Sequence, residues 1–378
     1  TETYGVILDG SGESRVDALA VDIASTSTVS GIVSTGESSS GIDFLLGALD
    51  STLGGLSGIT GEGVFVDTLG EIIESEVRGL HADNSDSLVV DDLTVDIEVV
   101  NELSSFTIED GLFGYSESDV SYTVAISAGD TIQSEVVGVY AEAGELLELT
   151  DLQISINSSN VVGTDTDKYT LSYVAAGDDI IDSDIKGIDA YSNPSDIYLR
   201  DFSVAIDDTA LVQLSQGDTE RDAVIQMRAT GVDTYTEEGM ISIVDVANDG
   251  VARAEDEWSV DISLAATVNS NRTVEDEAEP VIGFIYAYDD LIDVEIEGID
   301  AYVEESGGDI QLGGGEAGEF LAIQIDLAGQ LTGNMGTYDD AIDFDNIEGI
   351  YAYSENGYLF AENVTVDANF DAHIYGEV

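Results

Sequence analysis

Apolar and polar residues alternate with a period of two over most of the chain. Ile181, Ser183 and Ile185 fall on one side and Asp182 and Asp184 on the other, and Ile197 and Leu199 are followed by Phe202, Val204 and Ile206. The same alternation runs through 88–99, 149–156, 258–264, 320–327 and 358–366. Successive side chains on an extended strand point to opposite faces, so the pattern predicts half-buried strands rather than helices. Clusters such as Gly177-Asp178-Asp179, Asn248-Asp249-Gly250 and Gly313-Gly314-Gly315 punctuate the runs as turns or insertions. The chain reads all-β.

One phrase recurs. The run Asp178 to Tyr191, which contains Ile185-Lys186-Gly187-Ile188-Asp189-Ala190-Tyr191, returns from Asp289 to Tyr302 and again from Asp339 through Glu348-Gly349-Ile350-Tyr351-Ala352-Tyr353. Weaker copies surround Gly79, Gly138 and Gly231, and marginal ones lie at Ala18 and Gly111. Repeated units that cannot bury an apolar face alone bury it by stacking, so the repeat predicts a β-solenoid, a parallel β-helix built from irregular coils. A β-sandwich or jelly-roll array uses similar strands and is the rival fold. Each unit is expected to hold an acidic strand, a turn at the glycine, a corner filled by Ala190, Ala301 or Ala352, and a ladder of Tyr191, Tyr302 and Tyr353. The uneven glycine spacing implies that some gaps hold two coils or long insertions.

Two regions follow from this reading. Residues 71–378 form the repeat-containing solenoid. Residues 1–70 are less regular, with Ser/Thr/Gly-rich sequence around Ser25 to Ser40, and Ile42 to Asp50 with Leu53 and Leu56 suggests a short helix or apolar loop serving as a cap or an assembly contact.

Charge narrows the partners. The 378 residues carry 79 acidic against 9 basic side chains, a formal charge of -70, yet 43% hydrophobic content is enough for a folded core. Such self-repulsion needs salt or bound cations, and it disfavours nucleic acid and anionic membranes as partners. The absence of cysteine removes disulfides and thiolate chemistry. No apolar run of about 18 residues predicts a membrane-spanning helix, and Thr1-Glu2-Thr3-Tyr4 does not begin a secretory leader.

The candidate chemistry is carboxylate chemistry. Asp182/Asp184, Asp293/Glu295, Asp343/Asp345 and Glu74/Glu76 lie two residues apart, hence on one strand face, and stacked coils about 4.8 Å apart would draw them into a stripe. Together with the turn residues Asp178, Asp179, Asp289, Asp290, Asp339 and Asp340, such a stripe offers the several hard oxygens that Ca²⁺ takes. For any single pair, a solvated acidic surface adapted to salt is the simpler account. Paired acids also serve glycoside cleavage, but every coil offers similar pairs and cations to hold an acidic sugar are scarce, so an enzyme is not expected. His81 and His373 lie far apart in sequence, and Trp258, in step with Val260 and Ile262, reads as core. Gly313-Gly314-Gly315 lacks the Lys-Ser/Thr of a phosphate loop. Asn157-Ser158-Ser159, Asn271-Arg272-Thr273 and Asn363-Val364-Thr365 fit the N-glycosylation pattern.

Gly-Ile-Asp-Ala-Tyr-Ser at 187–192 and Gly-Ile-Tyr-Ala-Tyr-Ser at 349–354, each followed by an alternating strand, resemble coil phrases of bacterial autotransporter passengers and related β-helical surface adhesins. The resemblance touches roughly half the chain, which is more acidic than that family, and a C-terminal membrane barrel like that family's is not expected. It implies a right-handed parallel β-helix at the cell surface or outside the cell, with a structural or adhesive role, and it transfers no site residues. Strand character persists through Tyr358-Leu359-Phe360, Val364-Thr365-Val366 and His373-Ile374-Tyr375, and through Thr3 to Leu8 at the other end. Open strand edges invite further strands. The expectation is a non-enzymatic protein that joins copies of itself into a filament, sheath or surface layer by terminal strand addition, with divalent cations bridging its acidic faces. A monomeric adhesin binding a glycan or host surface is the alternative.

Overall fold

The computed structural model describes residues 1–30, 66–67, 70–104, 106–108, 120–163, 169–214, 216–243, 258–270, 284–304, 308–313, 321–337 and 339–377. The expected helix or loop at 42–56, the marginal copy at Gly111 and the triplet at Asn271 lie outside these residues.

The described chain winds as seven parallel coils. Their first sides are Glu2–Gly10, Ile73–Asn84, Ile132–Ala143, Ile181–Ser192, Ile225–Thr236, Ile292–Val303 and Asp343–Ser354, which pair in that order as one seven-stranded sheet, the glycine sheet. The second sides form a long sheet: Ser14–Ser30, Ser87–Ser104, Leu146–Gly163 and Asp196–Gln213, then Ser259–Asn269, Leu321–Gly336 and Val364–Glu377. Ile241–Ile243, Ile310–Gly313 and Leu359–Glu362 supply the first part of that side in the last three coils. A short third side includes Val120–Ile126, Tyr169–Ala176, Gln216–Thr219 and Phe284–Tyr286. Among the described pairings, that of Phe106–Ile108 with Val120–Ile126 alone is antiparallel.

Register explains the repeat. Each column across the coils carries one residue per coil, and Ile132, Ile181, Ile225 and Ile292 form one such column. The interior fills with these columns, and Leu80, Val139, Ile188, Val232 and Ile299 are all withdrawn from solvent. At about 1.5–3 kcal/mol for each fully buried Val, Leu or Ile, the stacked columns are the main favourable contribution.

Gly5, Gly79, Gly138, Gly187, Gly231, Gly298 and Gly349 form a column of their own, one per coil. The glycine does not make a turn, as the sequence suggests, but a bend within a continuous strand: Gly187 and Ile188 are both buried, so the alternation slips by one there. Close approach demands the glycine. A Cβ on Gly187 would stand 2.4 Å from Val204 Cγ1 and 2.5 Å from the Gly231 carbonyl oxygen; Gly5, Gly79, Gly138, Gly231 and Gly298 repeat the clash with the next coil, and Gly349 meets Val366 of its own coil. Because Gly79 and Gly138 belong to adjacent coils, the uneven spacing reflects coils of different length and not doubled coils.

The long sheet bends at a second column. Ala18, Asp92, Asp151, Asp201 and Asn363 all adopt left-handed φ between 47° and 57°. Asp and Asn tolerate that region better than most residues, which explains four of the five. Ala18 therefore marks the long-sheet bend and not a copy of the glycine phrase. The solenoid also starts earlier than expected, because Glu2–Gly10 and Ser14–Ser30 already pair in register with the second coil.

Candidate functional site: the acidic corners and the open last coil

The corner that leads into the glycine sheet is built by aspartates. Asp130 Oδ1 accepts the Asp179 backbone N–H at 2.9 Å, Asp179 Oδ1 accepts that of Ala223 at 2.7 Å, and Asp290 Oδ1 accepts that of Asp340 at 2.8 Å. Each carboxylate thus ties its coil to the next. Asp196 and Asp309 do the same at the following corner, accepting the N–H groups of Met240 and Tyr358. Burial pushes these acids up. Asp179, 4% exposed, is raised to about 9 by desolvation and then by Asp182, Asp130 and Asp222, while Asp130 and Asp290 are raised to about 6, desolvation again leading.

The expected stripe of carboxylate pairs is interrupted. Asp182 and Asp184 stand in register with Gln226 and Arg228 of the next coil, and these separate them from Asp293 and Glu295. Arg228 Nη2 lies 2.8 Å from Asp182, and Gln226 Nε2 donates to Asp293 at 3.0 Å. Asp182 is therefore covered rather than solvated, and Asp184 is raised by desolvation against the pull of Arg228 and Lys186. Asp293, raised mainly by desolvation, pairs in register with Asp343, whereas Glu295 accepts a hydrogen bond from Asn346 Nδ2 at 3.2 Å. Asp345 belongs to the same strand as Asp343, and its side chain lies outside the described residues.

The turn acids divide by role. Asp178 is 3.4 Å from Arg221, Asp289 donates its backbone N–H to the Asp222 carbonyl, and the Asp339 N–H reaches the Thr337 hydroxyl. Asp179 and Asp290 are structural ties, and Asp340 supplies the amide that Asp290 holds. Along one corner column Asp178, Asp179 and Asp182 lie in one coil, and Asp289, Asp290 and Asp293 with Asp339, Asp340 and Asp343 lie two and three coils further on; the coil between contributes Asp222, Ala223, Gln226 and Arg228. Among the described residues no group of three or more His, Cys, Asp or Glu is arranged to hold a metal ion.

Scarce cations lie across coil boundaries. Arg15 meets Asp91 at 3.0 Å, Arg78 meets Glu135 at 3.2 Å, Lys186 meets Asp233 at 2.8 Å and Arg200 meets Glu148 at 2.9 Å. Beside Lys186, Asp300 is raised to about 7 by desolvation and by Glu297, Asp233 and Glu348.

Sequence reasoning missed the polar interior. Asn101 Nδ2 donates to Asn160 Oδ1 at 2.9 Å, and Asn160 Nδ2 reaches Ser158, Ser183 and Asp208, the last 1% exposed. Desolvation raises Asp208 to about 6 against hydrogen bonds from Ser183 and Ser158. The signal was the unusual Asn160 and Asp208 at inward positions of the alternation. Asp130 was legible too, since Ala128-Gly129-Asp130 repeats Ala176-Gly177-Asp178.

Aromatic expectations hold. Tyr191, Tyr302 and Tyr353 belong to one outer ladder with Tyr235, centroids 5.0–5.7 Å apart. His81 stacks on Tyr140 at 4.7 Å, and Trp258 packs against the core. A shallow groove of about 430 Å³ crosses the outer long sheet beside Asn157, Asp207, Asp261 and Asp326.

The two ends differ. In the last coil every residue from Thr365 to Tyr375 is exposed, with Val366 at 48%, Phe370 at 50% and Ile374 at 51%, although these three continue columns that are buried at Ile323, Leu327 and Leu331. In the first coil Val21 and Ile23, members of the same sheet, are only 7% exposed. Among the described residues, nothing pairs with the far edge of Val364–Glu377, nor with the far edges of Glu2–Gly10 and Ser14–Ser30, so the ends differ in apolar exposure and not in strand pairing.

Comparison with protein-family models, with characterised proteins and with solved structures finds no match to this chain.

Proposed function

We propose that this protein is a non-enzymatic structural β-solenoid that joins to copies of itself by strand addition at its last coil. The observation that carries the reading is the uncovered edge of Val364–Glu377, whose apolar columns at Val366, Phe370 and Ile374 stop half exposed. An unpaired strand with apolar side chains is a template for another strand, and native proteins usually blunt such an edge. The interior carboxylates serve as ties between coils, which supports a scaffold more than a catalyst.

The extracellular or surface location, and growth into a filament, sheath or layer, belong to the same proposal and rest on the resemblance of the coil phrases. Growth into any of these needs contacts beyond the last coil. Divalent cations such as Ca²⁺ act in this reading by offsetting the charge of -70 as copies approach. Light scattering of the purified chain over a range of protein, NaCl and CaCl₂ concentrations tests it: mass above that of one chain, rising with salt, supports the proposal, and a monomer under all conditions rejects it.

A further inference from the structure

We infer that the last coil joins a second copy of this chain tail to tail across a two-fold axis that passes beside Phe370, an inference that rests on the proposed self-association. The argument begins with the sequence of the open strand. An axis normal to the sheet at Phe370 pairs the strand with its own copy in antiparallel fashion and keeps inner faces inner. Val366 then opposes Ile374, Ala368 opposes Ala372 and Phe370 meets itself, all on the inner face. On the outer face Asp367 opposes His373, Asn369 opposes Asp371 and Thr365 opposes Tyr375. Apolar groups meet apolar groups, and an acid meets a histidine. Directly opposed residues on antiparallel strands are the contacts that stabilise such a pair.

The head-to-tail alternative fits less well. Extending the columns of the long sheet into a following first coil places Asp367 against Asp22, a like-charge contact, and Phe370 against Ser25. The side chains of Val21, Ile23 and Ser25 on the first-coil strand are also only 7% exposed, so that strand offers little of the apolar surface that Val366, Phe370 and Ile374 present, although its far edge has no partner among the described residues. Self-complementary two-fold contacts are, moreover, the commonest form of homo-oligomer. His373 lies 2.9 Å from Asp371 of its own strand, so in the joint it would bridge Asp371 and Asp367 of the second copy.

The chain contains no cysteine, so single introduced thiols report the joint without background. Opposed residues of an antiparallel pair lie about 4.5–5.5 Å apart at Cα, within disulfide range. Light scattering should give a dimer for the unmodified chain. Under mild oxidation Phe370→Cys should cross-link to itself, Val364→Cys should not, and a mixture of Asp367→Cys with His373→Cys should give the mixed dimer. Larger polymers in which Phe370→Cys stays uncross-linked would overturn the two-fold joint and leave the proposed function standing. An unmodified chain that remains monomeric at all concentrations would remove both.

Discussion

The carboxylate of Asp179 accepts the backbone N–H of Ala223 at 2.7 Å, from a residue one coil further along the same corner column. A buried acid thus does for this solenoid what a loop hydrogen bond does elsewhere, and it does so at a site where charge is expensive. Replacing Asp179 by Asn keeps an acceptor and removes the ionisable group. Asp179→Asn should therefore melt at a higher temperature than the parent at pH 8, whereas Asp179→Ala, which strands the amide, should be about 1–3 kcal/mol less stable than Asp179→Asn in denaturant unfolding.

Several such acids make stability depend on pH. Asp130, Asp208 and Asp290 are raised to about 6, Asp300 to about 7 and Asp179 to about 9. A carboxyl with a folded pKa above its unfolded value of about 3.9 keeps its proton in the folded state where the unfolded chain has lost it. Its stabilising contribution is complete below the unfolded value and is lost as pH rises through the folded one. The melting temperature should fall steadily from pH 5 to pH 9 at fixed high ionic strength. A melting temperature that rises over this range would show that these acids are ionised without penalty in the folded protein.

The glycine bend gives a steric test. Gly187→Ala forces a Cβ against Val204 and the Gly231 carbonyl and should cost about 1–3 kcal/mol or more, as overpacking does. Gly70, where an added Cβ meets nothing within 4 Å, is the control, and Gly70→Ala should stay within about 0.5 kcal/mol of the parent. Chemical denaturation of the two variants side by side separates close approach from a general dislike of alanine.

Arg228 tests the interrupted stripe. Its guanidinium lies 2.8 Å from Asp182, and Coulomb attraction from Asp182 and Asp184 helps hold it charged. Arg228→Met should destabilise by about 1–3 kcal/mol at low salt, with part of the loss restored by 1 M NaCl as the orphaned acids are screened. Insensitivity to salt would mean that Asp182 and Asp184 do not repel each other in the variant.

Much of this architecture could be read from the chain because a stacked coil puts one residue into each column, so the columns of glycine, alanine and tyrosine repeat as a phrase. Gly187, Ala190 and Tyr191 fall into columns that way and the tyrosine ladder follows, although Gly187 bends a continuous strand and Ala190 lies within that strand and not in a corner. The long-sheet bend was hidden because Asp92, Asp151, Asp201 and Asn363 look like any other acidic or polar residue of this Asp-rich chain, and Ala18 breaks the series. The acid stripe is legible only between the clearest copies of the phrase, and the weaker copy carrying Gln226 and Arg228 lies between them in space. Asp179 and Asp290 accept amides of the next coil, a role that depends on stacking and leaves no local signature.

Hydrogen exchange of the backbone amides in Val364–Glu377, followed as protein concentration rises, tests strand addition at the last coil most directly. Exchange there should slow with concentration while that of Glu2–Gly10 stays unchanged. Exchange in Val364–Glu377 that is independent of concentration would contradict the account.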